Sequence, residues 1–189
     1  MHSNPQGNPS SADLSNPDFN QLPSCGDFDM RIARDGTWFY RGSPIGRKPL
    51  VKLFSTVLRR EDGEFWLVTP VERGRILVDD APFTAVEVTA HGKARDQILV
   101  FRTNVDDEIA AGAGNPIRVA YRDNQQPSPY IMVRNGLEAL ILRSVFYHLV
   151  EMGELREVDG MEQLGVWSGG VFFPLGAVDK VERTLLRNP

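Results

Sequence analysis

The residues best placed to do chemistry are Ser43-Pro44-Ile45-Gly46-Arg47-Lys48, which set two cations and free backbone N–H groups immediately ahead of an amphipathic helix. A helix start carries N–H groups without intrahelical partners and the positive end of the dipole, so the arrangement favours an anion. A solvated basic loop is the competing reading. Polar side chains at the ends of apolar strands form a second set: Thr69 and Glu72, Thr103 and Asn104, Arg134 and Arg143, with Tyr130 opening a strand. Arg143 falls inside an apolar stretch, where a cation either snorkels or meets a carboxylate or a ligand anion. Glu72 is a partner of suitable charge. Arg134 stands in a loop equivalent to that of Arg47, so a charged ligand between two halves would meet one cation from each.

Other chemistries are poorly supplied. His2, His91 and His148 lack ligand spacing, and with the single Cys25 a zinc site would need carboxylates as well. His148 reads as a hydrogen-bonded core residue. No Gly-x-Ser-x-Gly elbow exists and no histidine lies near Cys25, which leaves hydrolase readings weak. Asp79-Asp80 and Asp106-Asp107-Glu108 have the spacing of turn chemistry more than of metal ligands. Gly112-Ala113-Gly114-Asn115 lacks the Lys-Ser/Thr of a phosphate loop and is followed by an extended segment. No metal site and no cofactor emerge.

These residues are carried on a plan that occurs twice. Trp38-Phe39-Tyr40 leads through a polar loop to a helix over Leu50–Arg60 and then to Phe65–Pro70. Tyr130–Val133 leads through Arg134-Asn135-Gly136 to a helix over Leu137–Glu151 and later to Val171–Pro174. The first helix has one apolar stripe, with Pro49 in its first turn. The second is apolar on most of its circumference, which predicts burial from more than one side. Ile117–Tyr121 and Tyr130–Val133 read as paired strands, Val166-Trp167 and Val171–Phe173 as a hairpin around Gly169-Gly170, and Val178, Val181 and Leu185 as a short closing helix. Short antiparallel strands with two principal helices make an α+β protein. The expected organisation is a disordered tail over 1–26, rich in Asn, Ser, Pro and Gly, an α+β unit over 27–95 and a second over 96–189. A crevice between two such units is where a small ligand binds.

With 41% hydrophobic and 24% charged residues, the 189-residue chain has an ordinary globular composition. A net charge of −4 supplies no field for nucleic acid or an anionic membrane surface. No apolar run approaches the roughly 18 residues of a membrane span. The start lacks the features of a secretory signal, and one cysteine forms no internal disulfide, so the cytoplasm is the expected compartment. Arginines number 17 against 4 lysines, a skew that suits phosphate recognition but also follows from GC-rich coding.

Gly36-x-Trp38-x-Tyr40, Pro44-Ile45-x-Arg47, Leu50-Val51-x-Leu53-Phe54, Leu67-Val68-Thr69-Pro70-x-Glu72, Pro82-Phe83, Thr103-Asn104 and Pro129-Tyr130 resemble a bacterial family, domain of unknown function 1285 (DUF1285), over roughly residues 27–187. The resemblance implies an α+β fold with a duplicated core and a C-terminal half similar to pleckstrin-homology-like barrels. It also implies a nucleotide-like ligand at the interface and a role in signal transduction. Three classes of function stay open: a sensor holding a nucleotide-like anion between its halves, an enzyme using Glu72 or Asp80 as base, and a protein-interaction adaptor. The absence of a clear acid/base constellation favours binding over catalysis.

Overall fold

Asp29-Met30-Arg31-Ile32 alternates polar and apolar side chains, and the strand built on it buries Met30 and Ile32 while Arg31 faces water. That strand, β1 (Ser24–Ile32), opens the part of the chain described by the computed structural model, residues 22–121 and 126–177. It is followed by β2 (Trp38–Tyr40), β3 (Ser43–Pro44), α1 (Lys48–Thr56), β4 (Leu58–Glu61), β5 (Glu64–Val68) and β6 (Arg73–Val78). The second half supplies β7 (Phe83–His91), β8 (Ile98–Thr103), β9 (Glu108–Ala110), β10 (Ile117–Tyr121), β11 (Pro127–Arg134) and β12 (Leu137–Ile141). After these come α2 (Arg143–Glu151), β13 (Glu154–Val158), β14 (Met161–Ser168) and β15 (Val171–Ala177).

Two six-stranded sheets repeat one topology. The first has the order β3-β2-β1-β6-β5-β4 and the second β10-β11-β12-β7-β8-β9. In each, two three-stranded antiparallel meanders are joined by a parallel pairing of first strand with last, Ile32 with Val78 in one and Phe83 with Ala139 in the other. A third sheet, β13-β14-β15, packs with α2 against the second. The architecture is α+β in two units.

The helices are where the sequence reading needs correction. Leu50–Arg60 divides into α1 and the edge strand β4, because Val57 ends the helix and Leu58 pairs with Leu67. Leu137–Glu151 divides likewise: Leu137–Ile141 is β12, paired with both β11 and β7, and only Arg143–Glu151 is helical. The nearly all-round apolar pattern was the sum of a strand buried on both faces and a helix burying Val145, Phe146 and Leu149. His148 therefore lies on the exposed side of α2, not in the core. The helices also occupy different places in the repeat, α1 between the third and fourth strands and α2 after the sixth, so it is the sheets that repeat. The hairpin of Ile117–Tyr121 with the strand through Tyr130 and that around Gly169-Gly170 form as expected. The closing helix over 178–185 lies outside the described residues.

Sheet membership changes between Val78 and Phe83 rather than at residue 95, since β7 lies beside β12 and β8. A continuous hydrophobic core crosses that division. It runs from Met30, Ile32, Trp38 and Val51 to Phe83, Phe101, Leu149 and Leu175.

Ser24–Gly26, assigned above to the tail, belong to β1. Their backbone lies along β6, with Arg73 N donating to Pro23 O at 3.1 Å, and Cys25 Sγ donates to Glu72 Oε2 at 2.9 Å. Residues 1–21 lie outside the described part. A chain beginning at Asp27 is expected to be less stable than one beginning at Leu22 by about 1–2 kcal/mol, the worth of one or two net hydrogen bonds. Paired urea titrations check this, and equal midpoints would make the strand extension ornamental.

Candidate functional site

The joint between the halves is built where the turns of the second sheet meet α1 and the β1–β2 turn. Arg134, at the end of β11, donates from Nη2 to Ser55 O at 2.7 Å and from Nη1 to Asp107 Oδ2 at 3.0 Å. Its guanidinium also lies 5.2 Å from the centre of the Phe83 ring. Ser55 is in the last turn of α1, where unsatisfied carbonyls and the negative end of the dipole attract a cation. Arg134 thus reaches the C-terminal end of α1 while Arg47, its N-cap, stands at the other. A nine-residue helix is about 13 Å long, so the two cations do not converge as the sequence implied.

The remaining predicted residues divide into three groups. Asn104 and Thr103 lie at the joint. The Asn104 side chain accepts from Thr84 N at 3.1 Å and donates to Gly36 O at 3.2 Å, crossing between the halves. Thr103 is fully buried and accepts from Asp107 N at 3.0 Å, shaping the β8–β9 turn. Lys48 joins the same turn through Asp106 at 2.7 Å, and this hydrogen bond, with the ammonium charge, holds the Asp106 carboxyl below the usual carboxylate range. Tyr130, 6% exposed, donates to Asp80 Oδ1 at 2.8 Å; Arg34 pairs with the other oxygen of Asp80 at 3.3 Å. Asp80, the alternative catalytic base, is thereby committed to a cation and a phenol.

Thr69 and Glu72 lie elsewhere. Parallel pairing sets Ser24 beside Arg73 and Ile32 beside Val78, so the β5–β6 turn is at the end of the first sheet opposite the β1–β2 turn. There the Thr69 hydroxyl donates to Glu72 O at 3.0 Å and accepts from Glu72 N at 3.2 Å. The Glu72 carboxylate accepts from the Cys25 thiol, a hydrogen bond that raises the thiol above its ordinary range and suppresses the thiolate. Arg143 is the first residue of α2 and is exposed there, rather than lying in the interior of a longer apolar helix. Arg47 is exposed, and its guanidinium has no hydrogen-bond or ion-pair partner among the described residues.

Between the halves lies a small cleft of about 170 Å³, lined by Leu58, Arg59, Arg60 and Glu61 of β4 and by Arg134, Asn135 and Leu137 around the β11–β12 turn. Arg60 Nη1 donates to Gly136 O at 3.2 Å across it and stacks over Phe65 at 5.5 Å. Three arginines therefore contribute to the lining of one concavity. Sequence reasoning missed Arg59 and Arg60 because they were assigned to the end of a helix. Edge-strand pairing sets Arg60 opposite Phe65, on the face from which it reaches Gly136 O of the second half, while Arg59, the residue before it, projects to the other face of β4. Arg34 was missed for want of any local signal, its partners being 46 residues away and beyond.

Residues 18–81 match the family model described as the N-terminal domain of DUF1285, and residues 82–175 match that of its C-terminal domain, both of unknown function. Among solved structures, a DUF1285 family protein from Silicibacter pomeroyi DSS-3 is similar at 53% identity and a TM-score of 0.80, over 86% of this chain and 87% of that one. Another from Shewanella baltica OS155 is similar at 25% identity and a TM-score of 0.52, over 66% and 91% respectively. No curated protein matches the chain. No helix among the described residues is long and apolar enough to cross a membrane.

Proposed function

We propose that this chain, which belongs to the DUF1285 family through both of its halves, is a binding protein that senses a small anionic ligand at the joint between them. The observation that carries this reading is the cleft shared by β4 and the β11–β12 turn, bordered by Arg59, Arg60 and Arg134. Its volume of about 170 Å³ is below the 300–1,000 Å³ of a site that encloses a whole drug-sized ligand. A nucleotide-like ligand would seat its phosphate end there and leave the rest outside. Planar guanidinium forks suit such an end. Because the lining comes from both halves, occupancy would favour the arrangement of halves that closes on the anion, which is how a binding site becomes a signalling input.

We infer that the second half is pleckstrin-homology-like. The third sheet closes onto the second through Leu99 N donating to Ser168 Oγ at 2.8 Å and Tyr121 OH to Leu175 O at 3.5 Å. Catalysis is the weaker reading, since Glu72 and Asp80 lie in different places and each is engaged.

The expected result in calorimetry of the full chain against inorganic phosphate and nucleoside mono-, di- and triphosphates is micromolar binding of at least one. Arg60→Ala should weaken it about tenfold, the loss of one charge-assisted hydrogen bond. Arg47→Ala should leave it unchanged. Silence from the whole panel, or binding indifferent to Arg60→Ala, overturns the reading.

A further inference from the structure

Remote from the joint, Trp167 on β14 is buried to 6% exposure beneath two arginines. Arg95, on the short 3₁₀ turn between β7 and β8, has its guanidinium carbon 4.6 Å from the ring centre, and Arg156 of β13 lies at 4.8 Å. Arg156 also covers Phe172 at 5.3 Å, and Phe172 meets Trp167 edge-on at 5.4 Å. The platform is built into the backbone. Gly165 is open only because it lacks a Cβ, which would stand 2.4 Å from the Phe172 ring. Gln97 Nε2 fastens the Arg95 turn to Trp167 O at 2.7 Å.

Both arginines are exposed, and neither has a hydrogen-bond or ion-pair partner among the described residues. Glu154 is the carboxylate on the platform itself, and its Oε1 accepts from the indole Nε1 at 2.5 Å. The two guanidiniums lie within about 10 Å of each other, inside the screening length at moderate salt, so their charges repel. Each guanidinium lies over the indole, and no described group accepts from its N–H edges. We propose that Arg95 and Arg156 form a site for a phosphate-bearing ligand, bound at the rim of Trp167 by two guanidinium forks held against the indole. Lys93 caps the same turn, which also carries Asp96. An oxyanion bridging the arginines removes their repulsion and makes charge-assisted hydrogen bonds to groups the indole already holds close together. A soluble phosphate ester and a phospholipid headgroup share this chemistry.

The test uses the full chain carrying Arg60→Ala, which disables the cleft of the preceding proposal and keeps the two readings separable. Inorganic pyrophosphate is titrated by calorimetry, with indole emission as a second readout. Sedimentation is measured with vesicles of phosphatidylcholine alone and with added phosphatidylglycerol. Binding in either arm, reduced at least about tenfold by the Arg95→Gln/Arg156→Gln pair and in part by Arg156→Gln alone, is expected. Pyrophosphate binding identifies a soluble ligand as sufficient; retention only by the anionic vesicles identifies a headgroup. Absence of binding in both arms, or binding unchanged in the double variant while its melting temperature stays at that of the parent, overturns the site.

Discussion

Phe146→Ala is expected to lower the unfolding free energy by about 3–5 kcal/mol, as truncation of a buried aromatic does. Phe146 is 4% exposed on α2, which packs against β7 on one side and β14 on another. Its loss would open a cavity at the meeting of the second and third sheets, where neighbours on rigid strands cannot collapse to fill it. Phe54→Ala is expected to be milder. Phe54 is only partly buried on α1, stacked over Trp38 at a centroid distance of 6.3 Å, and water can reach part of the space it leaves. Urea unfolding followed by circular dichroism measures both. An equal or larger loss at Phe54 would mean that the joint at α1, rather than the α2 layer, holds the core together.

Gly36→Ala should destabilise by about 2–5 kcal/mol, from two independent causes. Gly36 has φ +85°, and a side chain in the left-handed region costs about 1–2 kcal/mol. A Cβ there would also stand 2.7 Å from Asn104 Nδ2 and 3.0 Å from Thr84 Oγ1, and overpacking of this kind costs about 1–3 kcal/mol. Asn104 has little freedom to retreat, because its amide is held by Thr84 N and Gly36 O. The second cause acts through a contact between the halves, so combining Gly36→Ala with Asn104→Ala should give less than the sum of the separate losses. Strict additivity would confine the effect to backbone strain. A loss under about 1 kcal/mol would show that the β1–β2 turn moves away from the second half at little cost.

The sequence determined what depends on near neighbours. Alternation over Met30 and Ile32, turn residues at Asp35-Gly36 and Gly169-Gly170, and the pairing of Ile117–Tyr121 with the strand through Tyr130 are set by side-chain direction and local turn chemistry. The α+β class followed from these, and the quoted family motifs agree with the match of both domain models. What the sequence could not settle was anything decided by pairing at a distance. Leu137–Ile141 carries enough apolar residues to extend a helix, and Leu58-Arg59-Arg60 continues the stripe of α1 with one leucine and two cations; both became strands because β7 and β5 offer them hydrogen-bonded edges. That choice moved Arg59 and Arg60 to the joint and His148 to the surface. Arg134 was legible as a cation near the second half's turn, but its position at the C-terminal end of α1 depends on the folding of a chain that separates it from Ser55 by 79 positions. Arg47 and Arg134 look equivalent in the sequence; the helix dipole separates them, one at each end, and only the tertiary structure brings Arg60 rather than Arg47 to the same cleft.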